Sequence, residues 1–240
     1  MIELHYWPTP NGWKVSIMLE ECGLPYRMVP VNTGRGEQFT PEFVALVNQH
    51  HQMPAIVDHQ PASPGGPLTV TESSAILMYL AEKSGQFLAA SGPARMQALQ
   101  WLMWQTGGLG PMMAQNSHFL QFADEQVPYA LQRYDREVRR LYGVLDQQLG
   151  HTRGFVAGAD CSIADFAVLP WIRIHGAHRI ELTAFEHLQR WYEDMEQRPG
   201  VQRGLALGRE LRAPVLSDEA REALFGTTRP RRRVAKQRQP

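Results

Sequence analysis

MIELHYWPTPNGWKVSIMLEECGLPYRMVPV, residues 1–31, decides how the N-terminal part of the chain folds. Ile2–Trp7 alternates apolar and polar positions and is rich in aromatics, the pattern of a half-buried strand. Pro8-Thr9-Pro10-Asn11-Gly12 is a run of turn formers. Trp13–Cys22 then sets Val15, Met18, Leu19 and Cys22 on one helical face, and Gly23 stops the helix. Tyr26–Val31 reads as a second strand. Working outward, Pro41–Val47 reads as a short helix with Thr40 as N-cap and Pro at the first helical position. Ala55–His59 is a third strand directly after Pro54. Leu68–Val70 is a fourth, beyond the turn-rich stretch 61–67. Ser73–Lys83 is a helix with Ile76, Leu77, Tyr79 and Leu80 apolar and Gly85 as its stop. The order β-α-β-α-β-β-α predicts a small α/β domain with a mixed four-stranded sheet.

Near residues 85–95 the chain changes character, and only helical patterns follow. Ala94–Met113 is rich in Leu, Met and Trp. Tyr129–Leu149 carries an apolar stripe from Leu131 to Leu149. Ser162-Ile163-Ala164-Asp165 reads as a capping box before Phe166–Ile174. Phe185, Leu188, Trp191, Tyr192 and Met195 mark a further helix, expected to end before Pro199. Three segments result: 1–86 α/β, 93–212 an all-helical bundle, and 213–240 an extension. That extension ends in Arg229, Arg231, Arg232, Arg233, Lys236 and Arg238, six positive charges without an acid. Such a tail cannot pack and is expected to be disordered.

Composition narrows the function. The 240 residues are 43% hydrophobic and 20% charged, enough to bury a core. Lys plus Arg and Asp plus Glu both total 24, so the neutral balance argues against a nucleic-acid binder. Two distant cysteines make neither a disulfide framework nor a cysteine zinc site. No run of 18 apolar residues predicts a membrane span, and the N-terminus lacks the pattern of a signal peptide. The expected location is the cytoplasm.

The turn before the first helix is the place to look for chemistry. A helix N-terminus offers unpaired N–H groups and a positive dipole end, an environment that stabilises a thiolate. Here the turn holds no cysteine, and Cys22 lies at the far end of the helix on its apolar stripe. If the site handles a thiol, the sulfur arrives with a ligand.

Residues 1–200 resemble the glutathione S-transferase family, most closely its bacterial Nu class of disulfide-bond reductases. The likeness is carried by PTPNGWKVSIMLEECGLPY (8–26), Gly36-Glu37-Gln38-Phe39, MPAIVD (53–58), TESSAILMYLAEK (71–83), LQWLMWQTGGLGPMMAQNSHF (99–119), VPYALQRY (127–134) and SIADFAVLPW (162–171). It implies a thioredoxin-like N-terminal domain joined to the family's helical C-terminal domain. It also implies that Thr9 and Asn11 lie beside the glutathione sulfur as catalytic donors, with Tyr6 a rival donor that its alternating strand would sooner bury. Met53-Pro54 would be a cis step whose Met53 backbone pairs with the cysteinyl moiety. Glu72 and Ser73 would hold the γ-glutamyl end, Gln38 and Arg133 would touch glutathione, and Met112, Met113, His118 and Phe119 would wall the second pocket. Gln52 stands where many members have lysine, and His51 is a candidate replacement. His50-His51 lacks a third ligand at metal spacing, so no metal is expected. The implied activity is thiol–disulfide exchange through bound glutathione, with transferase-type conjugation of electrophiles. The implied assembly is a homodimer acting on a small disulfide or electrophile, with no membrane or nucleic-acid partner. The alternatives are a non-enzymatic ligand-binding regulator and other glutathione chemistry such as isomerisation or dehalogenation.

Overall fold

The computed structural model describes residues 1–62, 64–211 and 217–226. The basic tail lies outside them. The first part runs β1 (Ile2–Tyr6), α1 (Pro10–Cys22), β2 (Tyr26–Pro30), α2 (Pro41–Leu46), β3 (Ala55–Asp58), β4 (Leu68–Thr71) and α3 (Ser73–Ser84). The strands lie in the order β2-β1-β3-β4, with β1 parallel to β2 and antiparallel to β3, and β4 antiparallel to β3. Alternation is visible in β1, where Ile2, Leu4 and Tyr6 are buried and the residues between them are not.

The helical part runs α4 (Gly92–Trp104), α5 (Gly110–Ser117), α6 (Pro128–Thr152), α7 (Ile163–Ile172), α8 (Glu186–Glu196), α9 (Pro199–Ala206) and α10 (Asp218–Phe225). The Leu-, Met- and Trp-rich run Ala94–Met113 falls on α4 and α5, joined by a π turn at Gln105–Leu109, and a second π turn, His118–Phe122, follows. Pro111 has no N–H to return to the preceding turn, and the ladder widens just ahead of it. Each π turn inserts a residue and rotates the face that follows. The capping box forms: Asp165 accepts from the Ser162 N–H and hydroxyl, and also from the Val156 N–H and the Trp191 indole.

Helix α8 ends at Glu196, before Pro199 as expected, and a further helix that the sequence reading did not mark follows at once. Pro199 is the first residue of α9, where its missing N–H costs nothing. Helix α9 packs on α1, and Gly204 makes the contact possible: a Cβ there would come within 2.5 Å of the Ile17 Cα. The Ser16 hydroxyl donates to the Gly204 carbonyl at 2.8 Å, and the ion pairs Arg198–Glu21 and Arg203–Glu20 flank the crossing. Helix α1 is thus enclosed by α3, α7 and α9, and every residue from Gly12 to Leu19 is buried. A helix surrounded on all sides should be apolar all round. This one carries Lys14 and Ser16 into the interior.

Candidate active site

Strand register assembles the site. Ala55 of β3 pairs with His5 of β1 and with Thr71 of β4. The chain leaving β1 toward Thr9, the chain entering β3 through Met53-Pro54 and the chain leaving β4 toward Glu72-Ser73 therefore meet at one sheet edge. The Met53–Pro54 peptide is cis. Here the predicted Thr9, Asn11, Met53, Pro54, Glu72 and Ser73 converge.

At the start of α1, Thr9 is the N-cap and its hydroxyl oxygen accepts from the Gly12 N–H at 3.3 Å. A hydroxyl that accepts still has its own proton to donate. Gly12 is required at this turn, because a Cβ would lie 2.2 Å from the Trp7 carbonyl. Asn11 is half-buried, and its side-chain amide makes no hydrogen bond among the described residues. Tyr6 does not compete: it is fully buried, and its hydroxyl donates to the Leu207 carbonyl at 3.1 Å.

The start of α3 is built differently. Its N-cap is Glu72, with φ of 66° and ψ of 113°, and no side chain caps the helix. A non-glycine residue held at such a φ costs about 1–3 kcal/mol, and such strain gathers at ligand clamps. The first N–H groups of α3 are thus left without a side-chain acceptor, the arrangement that binds anions. Glu72 itself is exposed, and Ser73 is partly so.

Beneath Ser73 lies a residue that sequence reasoning missed. Lys14 is 2% exposed, and its Nζ donates to the Gln105 Oε1 at 2.6 Å and to the Ser73 Oγ at 3.3 Å. Burial pulls its ammonium down to about 7, against the opposing pull of Glu72. Next to it, the hydroxyls of Ser74 and Thr106 are 2.6 Å apart. The π turn of the helical domain therefore meets the first turn of α3 directly, through Thr106 and Ser74, and indirectly, through Gln105 and Lys14.

The remaining predicted residues divide. Gln38 sits in a 3-10 turn, Glu37–Phe39, and is only 4% exposed, with its Oε1 unpartnered among the described residues. Arg133 is exposed on α6 near Glu137. Among the described residues no hydrogen bond or ion pair joins either to the sheet-edge cluster. The predicted pocket wall is corrected at Met113, which is fully buried in the core because of the face rotation at the first π turn. His118 and Phe119 join an aromatic cluster with Tyr134, Phe122 and Phe225 of α10. Helix α10, which the sequence reading did not anticipate, rests on Thr33–Arg35 and bonds through Arg221 to the Phe122 carbonyl. Neither cysteine is near this chemistry. Cys22 faces Ser84, and burial pushes the thiols of both Cys22 and Cys161 upward, away from reactivity.

Residues 1–82 match the glutathione S-transferase N-terminal domain, and residues 109–199 match the corresponding C-terminal domain. The chain belongs to the glutathione S-transferase family. It is 45% identical over 219 residues to the disulfide-bond oxidoreductase YfcG of Escherichia coli strain K12, spanning 91% of this chain and 98% of that protein. A glutathione transferase family member from Pseudomonas fluorescens, solved with two glutathione bound, superposes with a TM-score of 0.79 at 45% identity, covering 85% of this chain and 92% of that one. A glutathione transferase from Pseudomonas putida, solved with one glutathione disulfide per subunit, gives 0.79 at 42% identity, covering 86% and 91%.

Proposed function

We propose that this transferase binds glutathione at the α1–α3 sheet edge and uses the bound thiol to reduce disulfides. The carrying observation is the pair of helix N-termini meeting at the cis-proline step with no cysteine between them. The uncapped start of α3 takes the γ-glutamyl carboxylate, with Ser73 donating and Glu72 accepting from the α-ammonium. The Met53 backbone pairs with the cysteinyl unit as an added strand would. The sulfur then falls at the start of α1, where the Asn11 amide and the Thr9 hydroxyl donate to it. Gln38 supplies a buried amide from the neighbouring loop, and Arg133 a solvent-side cation.

In the reaction the glutathione thiolate attacks one sulfur of the substrate disulfide. A glutathione mixed disulfide forms, and the substrate's other sulfur leaves as a thiolate that takes up a proton. A second glutathione thiolate attacks the mixed disulfide and releases glutathione disulfide and the second substrate thiol. Two glutathiones are oxidised and one disulfide is reduced. Two glutathiones or one glutathione disulfide are what the Pseudomonas proteins hold. The same activated thiolate would conjugate electrophiles against the His118–Phe119 wall.

The finer assignments are the Nu class, a cytoplasmic location and a homodimer. The dimer is supported by α4, where Met96 and Met103 are exposed two turns apart and Trp101 and Trp104 pack edge to face at 5.0 Å beside them. A monomeric mass at micromolar concentration contradicts the dimer. The activity is tested by glutathione-dependent reduction of hydroxyethyl disulfide. Steady turnover is expected, and glutathione binding without turnover would instead favour a ligand-binding regulator.

A further inference from the structure

We propose that Lys14 is the positioning residue for the carboxylate bound at the start of α3, acting through Ser73 and taking up a proton when that anion arrives. The inference rests on the glutathione reading and adds to it a charge that the sequence motifs do not display. The geometry is a relay. A lysine ammonium has three donors and no acceptor. One donor goes to the Gln105 Oε1 at 2.6 Å and one to the Ser73 Oγ at 3.3 Å. With its oxygen accepting from Lys14, the Ser73 hydroxyl has its own proton to give outward to an incoming carboxylate. Ser73 is partly exposed and Lys14 is not, so the ligand meets the serine and feels the cation behind it.

No carboxylate lies within ion-pair distance of Lys14 among the described residues. The charged groups on the elements around α1 are spent elsewhere. Arg198 and Arg203 pair with Glu21 and Glu20 at the opposite end of α1. Asp165 of α7 bonds to Val156, Ser162 and Trp191. Only Glu72, at the head of α3, favours the charged lysine, and it is exposed. An unneutralised ammonium in the interior is costly, and a buried lysine sheds its proton near neutrality. An anion seated at Ser73 supplies the missing opposite charge and favours reprotonation.

Lys14 also joins the two domains, because Gln105 belongs to the π turn of the helical part. The position of that turn therefore bears on how well the N-terminal domain holds its ligand.

The test uses S-methylglutathione, which has the γ-glutamyl end but no thiol to titrate. Calorimetric titration at pH 6, 7 and 8, in buffers of different ionisation enthalpy, reads both Kd and proton exchange. The expected result is net proton uptake at pH 7 and 8, with Kd weakening about tenfold between pH 6 and pH 8. Lys14→Met should abolish the uptake and flatten the profile, with Kd at pH 6 about tenfold weaker than in the parent. A merely structural lysine would move neither the uptake nor the slope. The parent's own proton uptake decides the matter even if the variant folds poorly. Binding without uptake overturns the assignment, as does an unchanged profile in a folded Lys14→Met protein. Failure of the parent to bind S-methylglutathione at all would instead overturn the glutathione reading on which it rests.

Discussion

The two helices that face each other across the sheet edge begin in opposite ways. Helix α1 is capped by its own Thr9 and carries neutral donors, Asn11 and the threonine hydroxyl. Helix α3 is left uncapped behind a strained Glu72, with a buried lysine beneath its first serine. The first arrangement suits a weak, developing charge, where a modest field shifts a thiol toward thiolate. The second suits a full charge already present in the ligand. Under the proposed function the difference divides the labour, with α3 binding and α1 activating.

The largest expected effect breaks the comparison altogether. Gly204→Leu would drive a side chain into the α1 backbone at Ile17 and lift α9 away. Since α1 holds both its own N-terminus and Lys14, binding and turnover should fall together, with several kcal/mol of stability lost as in other overpacked cores. Denaturant unfolding beside glutathione titration checks this, and loss of turnover alone would mean that α9 does not support both helices.

A smaller effect serves as a control remote from either N-terminus. His178 is fully buried between Asn116 and Ser117, and burial holds its imidazole down to about 4. Its folded pKa lies below its unfolded value of about 6.5. The unfolded chain therefore binds the extra proton between pH 6.5 and pH 4, and stability falls as pH falls through that window. The contribution is at most about 3 kcal/mol. His178→Gln should flatten the dependence while leaving the glutathione Kd at pH 7 unchanged. Thermal unfolding at pH 7 and pH 5 measures it, and an equally steep loss in the variant would reassign the effect.

The smallest effect is the removal of both protein thiols. Cys22→Ala with Cys161→Ala should keep disulfide reduction within about twofold, since neither thiol approaches the sheet edge and burial suppresses both. Abolished turnover in the folded double variant would show that the sulfur is the protein's own.

Much of this division is visible in the residues themselves, and the exceptions are instructive. Turn formers at Pro8–Gly12 and stops at Gly23 and Gly85 are local signals, so β1, α1 and α3 could be read directly. The turn at Thr9 and the helix starts at Pro10 and Ser73 were legible in the residues, whereas the roles given to Thr9, Asn11, Glu72 and Ser73 came from the family resemblance. Lys14 was not legible, because a lysine inside an apolar helix reads as a solvent-facing residue. Its burial comes from Gln105 and from α3, α7 and α9, all distant in sequence. Met113 was read as a wall residue from the resemblance alone, and it lies buried in the core on α5, beyond the first π turn. Pro199 marked the end of α8 correctly, and that it also opens α9 went unread, since proline serves both ends of a helix. Helix α10 did carry a local signature, with Ser217 as N-cap, Asp218 and Glu219 in the first turn and Gly226 at the end, but the charged setting concealed it.

The central claim is that binding and activation are separable, and one paired measurement tests it most directly. Asn11→Ala and Ser73→Ala are compared for kcat with hydroxyethyl disulfide and for the Kd of glutathione. Removing a neutral donor to an ionised partner costs roughly 1.5–3 kcal/mol, about ten- to a hundredfold. Asn11→Ala should lose that factor in kcat with little change in Kd, and Ser73→Ala should weaken Kd with kcat at saturation nearly intact. Turnover at the parent rate in Asn11→Ala, or equal losses in both constants for both variants, would contradict the account.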